Sequence, residues 1–325
     1  MTKLLNMSML AAVMATGMMS IASAQTAYPA KPVRIVVPYA AGGSTDLLAR
    51  TLAQKMTDSM GQPVIVENRA GGGGMPGSAS VARAAPDGYT VVLGTGATHG
   101  LVLFLTKGVP YDPVRDFTPI TAAVEVPIAL AVHPSVPARN AREFADFARS
   151  QPGKLSFGSS GSGSPHHLAG ELLNQVASID VVHVPYKGAG PSMQDLLGGQ
   201  IPAVFTTLST ALPQARAGKI RLLGVVEANR ARSAPDVPTI GESLLGYAMP
   251  NSWLGFFGPA GLPADITARL NTEFVKALND TETRTKLEAA GLPVVGSSAN
   301  AFAEMVRRDI EAFQRIVTRA GIKPE

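Results

Sequence analysis

VRIVVPYAAGGSTDLLARTLAQKM, from Val33 to Met56, decides the fold class. VRIVV reads as a strand, because valine and isoleucine pack well on a pleated surface. Gly42 and Gly43 follow as a tight turn, with Gly43 expected at positive φ, a region glycine enters without steric cost. Ser44 or Thr45 is expected to cap the helix that follows. Asp46 suits its first turn, where a carboxylate meets the positive end of the helix dipole. A strand that runs through a glycine turn into a helix is half of a βαβ unit.

The alternation continues. VIVE (64–67) and TVVLG (90–94) read as strands, with helices starting near Thr45 and Ser78. A second set comprises IALAV (128–132), a helix over Ala141–Ser150, LSFGS (155–159), a helix from Pro165 and DVVHV (180–184). It goes on through a helix ending at Gly198–Gly199, IPAVF (201–205) and IRLLGVV (220–226). This rhythm predicts an α/β protein with mostly parallel sheets. From NSWLGFFGPAG (251–261) onward the pattern turns helical, with Ile266, Leu270 and Phe274, then Phe302, Val306, Ile310, Phe313 and Val317, at helical spacing. The helical tail is expected to pack back on the first unit. The expected domains are 25–124 plus 250–325, and 125–249, with crossings near Ala123–Glu125 and Met249–Ser252.

Residues 1–24 stand apart. Lys3 precedes the uncharged stretch LLNMSMLAAVMATGMMSIA, and Ala22–Ala24 is a small-x-small cleavage pattern before Gln25. This is the design of a secretory signal peptide. Among the 325 residues, 46% are apolar and 16% charged, a globular composition, and cysteine is absent. Disulfides, zinc–thiolate sites and thiol nucleophiles are thereby excluded together. The formal charge of +4 is not gathered into a Lys/Arg cluster with interleaved aromatics, so nucleic acid is not an expected partner.

GSSGSGSPHHLAG (158–170) repeats the first loop's design in the second unit. Ser159, Ser160, Gly161, Ser162 and Gly163 are small enough for backbone N–H groups to approach a ligand, and Ser164 with Pro165 reads as an N-cap and first helical residue. A loop of this kind feeding a helix N-terminus suits an anion. Two such loops, one per unit, would grip a small anion at both ends, so a ligand with two carboxylates is expected. His166 sits in the first turn, open between a carboxylate donor and an ordinary helix-start side chain. Lys187 in YKGAG is the nearest cation, open between a ligand contact and a solvated lysine.

Enzyme templates fail. The chain has no G-x-x-x-x-G-K-[ST], GSGSPH lacks the third glycine of G-x-G-x-x-G, and neither G-x-S-x-G nor H-E-x-x-H occurs. His167 and Glu171, at i and i+4, read as a surface contact and not a metal site. His99, His133 and His183 read as satisfied or surface histidines. AGGGGMPG (70–77) reads as a loop beside the cleft.

Several motifs carry a family resemblance: KPVRIVVPYAAGGSTD, ENRAGGGG, AAPDGYT, PYDPVRDFTPI, GSGSPHHLAGELL, VPYKGAGPSMQDLLGGQI, AGKIRLLGV and PDVPTIGES. In this order, over nearly the whole chain after residue 24, the sequence resembles the tripartite tricarboxylate transporter substrate-binding family, whose bacterial members are also called Bug receptors. The resemblance implies a two-domain type II periplasmic binding-protein fold with the ligand cleft between domains. It also implies a periplasmic receptor, working as a monomer without cofactor or metal, that captures a small carboxylate for membrane permease subunits. By resemblance the ligand is held by Ala41, Gly42, Gly43, Ser44, Thr45 and Asp46, by Ser159–His166, and by Thr95 and Thr98. The chain departs from the family pattern near the expected pocket, after Thr98–Gly100, where LVLF replaces Asn-Pro, and after IPAVF, where Thr206, counted with the expected ligand-binding residues, and Thr207 stand in place of an Asp-Asn-like pair. A ligand-presenting sensory receptor shares every cleft residue and is the alternative. A periplasmic hydrolase is a weaker one, since no nucleophile with a base is legible.

Overall fold

The structure is a computed structural model that describes residues 28–324; the expected signal segment lies outside the described residues. In the first sheet β1 (Val33–Val37) buries Val33, Ile35, Val36 and Val37. It pairs in parallel with β2 (Val64–Asn68), Val33 opposite Val64, and with β3 (Thr90–Thr95), Arg34 opposite Thr90. α1 (Ser44–Met60) connects β1 to β2. It buries Leu48, Leu52, Met56 and Met60 at every fourth position and ends at Gly61, whose φ of 67° is left-handed. α2 (Met75–Ala82) connects β2 to β3; it starts at Met75, ahead of the expected Ser78, with Pro76 preset for the first turn. After β3 an irregular turn over Ala97–Leu101 leads into the short helix α3 (Val102–Leu105).

The expectation of mostly parallel sheets is corrected by strands that the alternation does not announce. β4 (Phe117–Glu125) and β10 (Trp253–Pro259) pair antiparallel, and β10 is also antiparallel to β3, giving the order β2-β1-β3-β10-β4. WLGFFGP, expected to open the helical tail, is a strand with every position buried.

The second sheet has the order β7-β6-β8-β5-β9 and is also mixed. β6 (Ser156–Ser159) runs parallel to β7 (Val182–Pro185) and β8 (Ala203–Thr207). β5 (Ile128–Val132) runs antiparallel to β8 and to β9 (Arg221–Val225). α4 (Ala141–Arg149) precedes β6, and α5 (Pro165–Ala177), α6 (Ala189–Leu197) and α7 (Leu208–Arg216) follow β6, β7 and β8 in turn. α5 packs hard on the sheet: a Cβ at Gly170 would lie 2.1 Å from the Phe157 ring, so glycine permits the approach.

The chain passes between the sheets at Val126–Pro127 and again between β9 and β10, a stretch that includes α8 (Ile240–Ser243). α9 (Ala264–Asn279) and α10 (Thr281–Ala289) follow β10, then the long α11 (Ala299–Ala320). α11 does not pack on the first unit alone. Phe302 and Val306 join the core around Trp253 and Phe257, whereas Phe313, Ile316 and Val317 join the core of Leu168 and Leu172 in the second unit. Among the described residues no helix is long and apolar enough to cross a membrane.

Candidate functional site

The loop after β1 is folded around Asp46. Its carboxylate, 6% exposed, accepts the Gly42 N–H at 3.0 Å, Arg50 Nε at 3.0 Å and Asn68 Nδ2 at 3.0 Å. The hydrogen bond from Arg50 is the main force holding its pKa low, helped by Gly42 and Asn68. Asp46 thus shapes the loop with its oxygens already engaged. The expected cap is corrected: neither Ser44 nor Thr45 caps α1, because Ser44 is already helical. Gly43 is the N-cap, in extended conformation (φ −83°), and its carbonyl accepts the Leu47 N–H at 2.9 Å. The positive φ falls on Gly42, at 90°. The N–H groups of Gly43, Ser44, Thr45 and Asp46 have no partner among the described residues. Ala41 through Ser44 are exposed. A cavity of about 520 Å³ opens onto this helix start, and Lys286 and Ala290 complete its wall. Lys286 is a cation that sequence reasoning missed.

Thr95 and Thr98 join this loop to the rest of the site. Tyr39 Oη lies 3.0 Å from Thr95 Oγ1, and Thr98 Oγ1 accepts the Thr95 N–H at 3.0 Å. Tyr39 went unnoticed in the sequence; its place directly after β1, one turn before the glycines, was the available signal. Thr98 is also 2.9 Å from His99 Nδ1. His99 is fully buried, stacked on Phe257 at 4.1 Å, and desolvation lowers its pKa to about 3, so it is a neutral core histidine. The glycine-rich stretch touches the same place, since a Cβ at Gly74 would lie 2.8 Å from Thr98 Cγ2.

The far end of this segment meets the second loop: a Cβ at Gly163 would lie 3.7 Å from Leu105 Cβ. Ser164 caps α5 as expected, accepting the His167 N–H at 3.2 Å, with Pro165 in the first turn. Much of the loop's donor capacity is spent internally. Gly161 N–H goes to Ser159 Oγ at 3.0 Å, Gly163 N–H to His167 Nδ1 at 3.2 Å and Ser164 N–H to the Gly161 carbonyl at 3.2 Å. The N–H groups of Ser160, Ser162 and His166 remain without a partner among the described residues. His166 is buried, with Nδ1 2.7 Å from Ser160 Oγ, and desolvation lowers its pKa to about 4. Any part it plays at neutral pH is that of a neutral imidazole.

Lys187 is exposed beside this loop, held there by its neighbours, since Tyr186 N–H and Gly188 N–H donate to the Ser159 and Ser160 carbonyls at 3.2 Å each. Thr206 lies on β8, two residues beyond Val204, the partner of Gly158 on the strand that leads into the second loop. It pairs with Ala129 inside the second sheet, and its hydroxyl is buried without a partner among the described residues. Thr207 instead precedes α7 and bonds Thr210 at 2.8 Å.

Ser159 Oγ lies 2.7 Å from His183 Nε2, the same separation as between Ser160 Oγ and His166 Nδ1. Ser159 is wholly buried and already bonded to the Gly161 N–H, and no carboxylate bonds His183 among the described residues. The pair is a loop fastening without the open, oriented geometry of a catalytic triad. Among the described residues no group of three or more His, Cys, Asp or Glu is placed to hold a metal ion. A second cavity of about 520 Å³, between Ser209 and Arg216 on one unit and Glu288 and Gly291 on the other, touches neither loop.

Residues 48–322 match the model of the tripartite tricarboxylate transporter family receptor. A Pseudomonas relative, described as a UPF0065 protein in the tcbD-tcbE intergenic region, is 36% identical over 90% of this chain and 87% of its own. Two solved structures from Rhodopseudomonas palustris are similar. Rpa4515 with adipate has a TM-score of 0.81 at 33% identity, covering 92% of this chain and 100% of that one. MatC (Rpa3494) with bound malate has a TM-score of 0.77 at 34% identity, covering 89% and 100%. The two mixed sheets are therefore those of a two-domain periplasmic binding protein, a ligand receptor and not an enzyme, and the chain belongs to the tripartite tricarboxylate transporter receptor family.

Proposed function

We propose that the protein captures a small dicarboxylate in the periplasm and hands it to the permease subunits of a tripartite tricarboxylate-type transporter. One observation carries this reading. Two strand-to-helix loops offer uncommitted N–H donors, at Gly43–Asp46 and at Ser160, Ser162 and His166, and the Thr95–Leu105 segment touches both. Free amides at a helix start suit carboxylate oxygens, with the helix dipole adding to them. The similar structures with adipate and malate support a diacid. The binding domains are 25–124 with 250–325, and 125–249, which close about the crossings as a hinge. Residues 1–24 act as the export signal, and the receptor works as a monomer without a cofactor.

The test is a thermal-shift screen of the chain from Gln25 onward against mono-, di- and tricarboxylates. A ligand at about 100 times its Kd adds roughly 2.7 kcal/mol of stability. A screen in which diacids give no shift, or in which only neutral solutes do, would overturn the reading.

A further inference from the structure

The Ser159–Ser164 loop rests on a column of three stacked rings. His167 lies on His183 with centroids 3.9 Å apart and planes 13° apart, and His183 lies on Phe157 at 5.1 Å. Both imidazoles are bonded into the loop, His167 through Gly163 and His183 through Ser159, which in turn holds Gly161. Gly161 and Gly163 have φ of 132° and 73°, so the loop's course depends on the two glycines these bonds hold.

An amide N–H donating to His167 Nδ1 requires a lone pair there, which places the proton of the neutral ring on Nε2, facing Glu171 Oε1 at 3.7 Å. A second proton has to enter at Nδ1, where it opposes the Gly163 N–H, donor against donor. Positive charge on both stacked rings is further disfavoured by repulsion at this distance. Glu171 on α5 favours charge on His167. Lys323 opposes it across a cavity of about 130 Å³ walled also by Leu105, Thr106 and Ser162. From β6 and β7 the groups facing the column are Phe157, Ser159 and His183 itself, and none is an anion.

We propose that His167 and His183 are positioning residues for this loop, and that protonating the stacked pair releases Gly163 and slackens the loop in acid. The link to ligand binding rests on the function proposed above. Burial, with the neighbouring His167, lowers His183 to about 4, in keeping with a column built for the neutral form.

The test uses unliganded protein. Amide exchange of Gly161 and Gly163, corrected for intrinsic rates, is followed by NMR from pH 8 to pH 4 together with the ring resonances of His167 and His183. The protection of Gly163 should fall at least tenfold as the rings titrate, while circular dichroism stays native. In His167→Gln, whose amide oxygen accepts the N–H but does not titrate in this range, the fall should vanish. Protection that stays flat while the rings titrate, or the same fall in His167→Gln, overturns the proposal. Should that variant not fold, the wild-type titration decides, with Gly42 as the control amide, since the hydrogen bond from Arg50 holds its partner Asp46 below the ordinary 3.8. A failed carboxylate screen leaves these readouts unaffected and bears only on the proposed function.

Discussion

The Gly42 N–H donates to Asp46 Oδ2 at 3.0 Å, so the loop that opens α1 closes on its own first-turn carboxylate. Asp46→Ala removes that acceptor and leaves Arg50 and Asn68 without it as well. Charged hydrogen bonds contribute about 1.5–3 kcal/mol, and the variant should lose stability in that range in urea denaturation at pH 7. The native pKa is held below the ordinary 3.8, so the stabilisation is full above that value and disappears as pH falls through the lower native value. The gap between wild type and variant should therefore close only below about pH 3.8. Equal stability at pH 7 would show that the loop does not depend on Asp46.

The two adjacent glycines should respond differently. Gly42 has φ of 90° and open space around a notional Cβ, so alanine there meets backbone strain of about 1–2 kcal/mol and no clash. Gly43 has φ of −83°, and a Cβ would meet nothing closer than 3.9 Å, so Gly43→Ala should stay within about 0.5 kcal/mol of wild type. Thermal denaturation of the two variants side by side makes the comparison. A larger loss at Gly43 would contradict this backbone.

The parts of the fold legible in the sequence are those in which an apolar run passes through a loop of Gly, Pro, Ser or Asn into a helix. β1, β5 and the Ser164–Pro165 helix start fall where the pattern puts them. β10 escaped because its two faces are both buried, so WLGFFGP shows no alternation to separate strand from helix. α11 escaped in part because one apolar stripe serves two cores; spacing shows that a face is buried but not against what. At the site, Gly42–Asp46 and Ser159–His166 were visible as loop chemistry. Which amides stay free was not, since Asp46, Ser159 and His167 consume donors through contacts set by tertiary packing. His183 needed the register of β7 beside β6, with His183 opposite Phe157, before it could be placed beneath the loop.

Glu227 lies in the second crossing with Oε1 accepting the Ile128 N–H at 3.0 Å and Oε2 buried without a partner among the described residues. Burial, with a smaller contribution from Glu125, raises its pKa to about 7. The native state then holds a proton that the unfolded chain releases near pH 4.5, so stability declines as pH rises from 4.5 through 7. Glu227→Gln keeps an acceptor for Ile128 and cannot ionise. It should match wild type at pH 5 and exceed it at pH 8 by on the order of 2 kcal/mol. Parallel stability curves at the two pH values would show that Glu227 ionises in the fold without penalty.

The two ends of the proposed grip are unequal. At the first loop four consecutive N–H groups are free among the described residues, at the second those of Ser160, Ser162 and His166, and the His166 imidazole is neutral. Arg50 is committed to Asp46, so charge on the ligand is met by amides, hydroxyls and two helix starts, with Lys286 in the cavity wall at the first of them. A helix dipole contributes about 0.3–1 kcal/mol when exposed and up to ~2 when partly buried, and hydrogen bonds to a charged group roughly 1.5–3. One end alone hardly offsets the cost of immobilising a small molecule, whereas two ends joined by one ligand do. Replacing one carboxylate of a bound diacid by its amide should therefore weaken binding by at least ~2 kcal/mol, about 30-fold. The free-donor count adds an asymmetry. In an unsymmetrical diacid the two monoamides should differ, the weaker binder being the one that places its amide against Gly43–Asp46. Calorimetric titration of the diacid and both monoamides measures this. Three equal affinities would show that neither end is read as a charge.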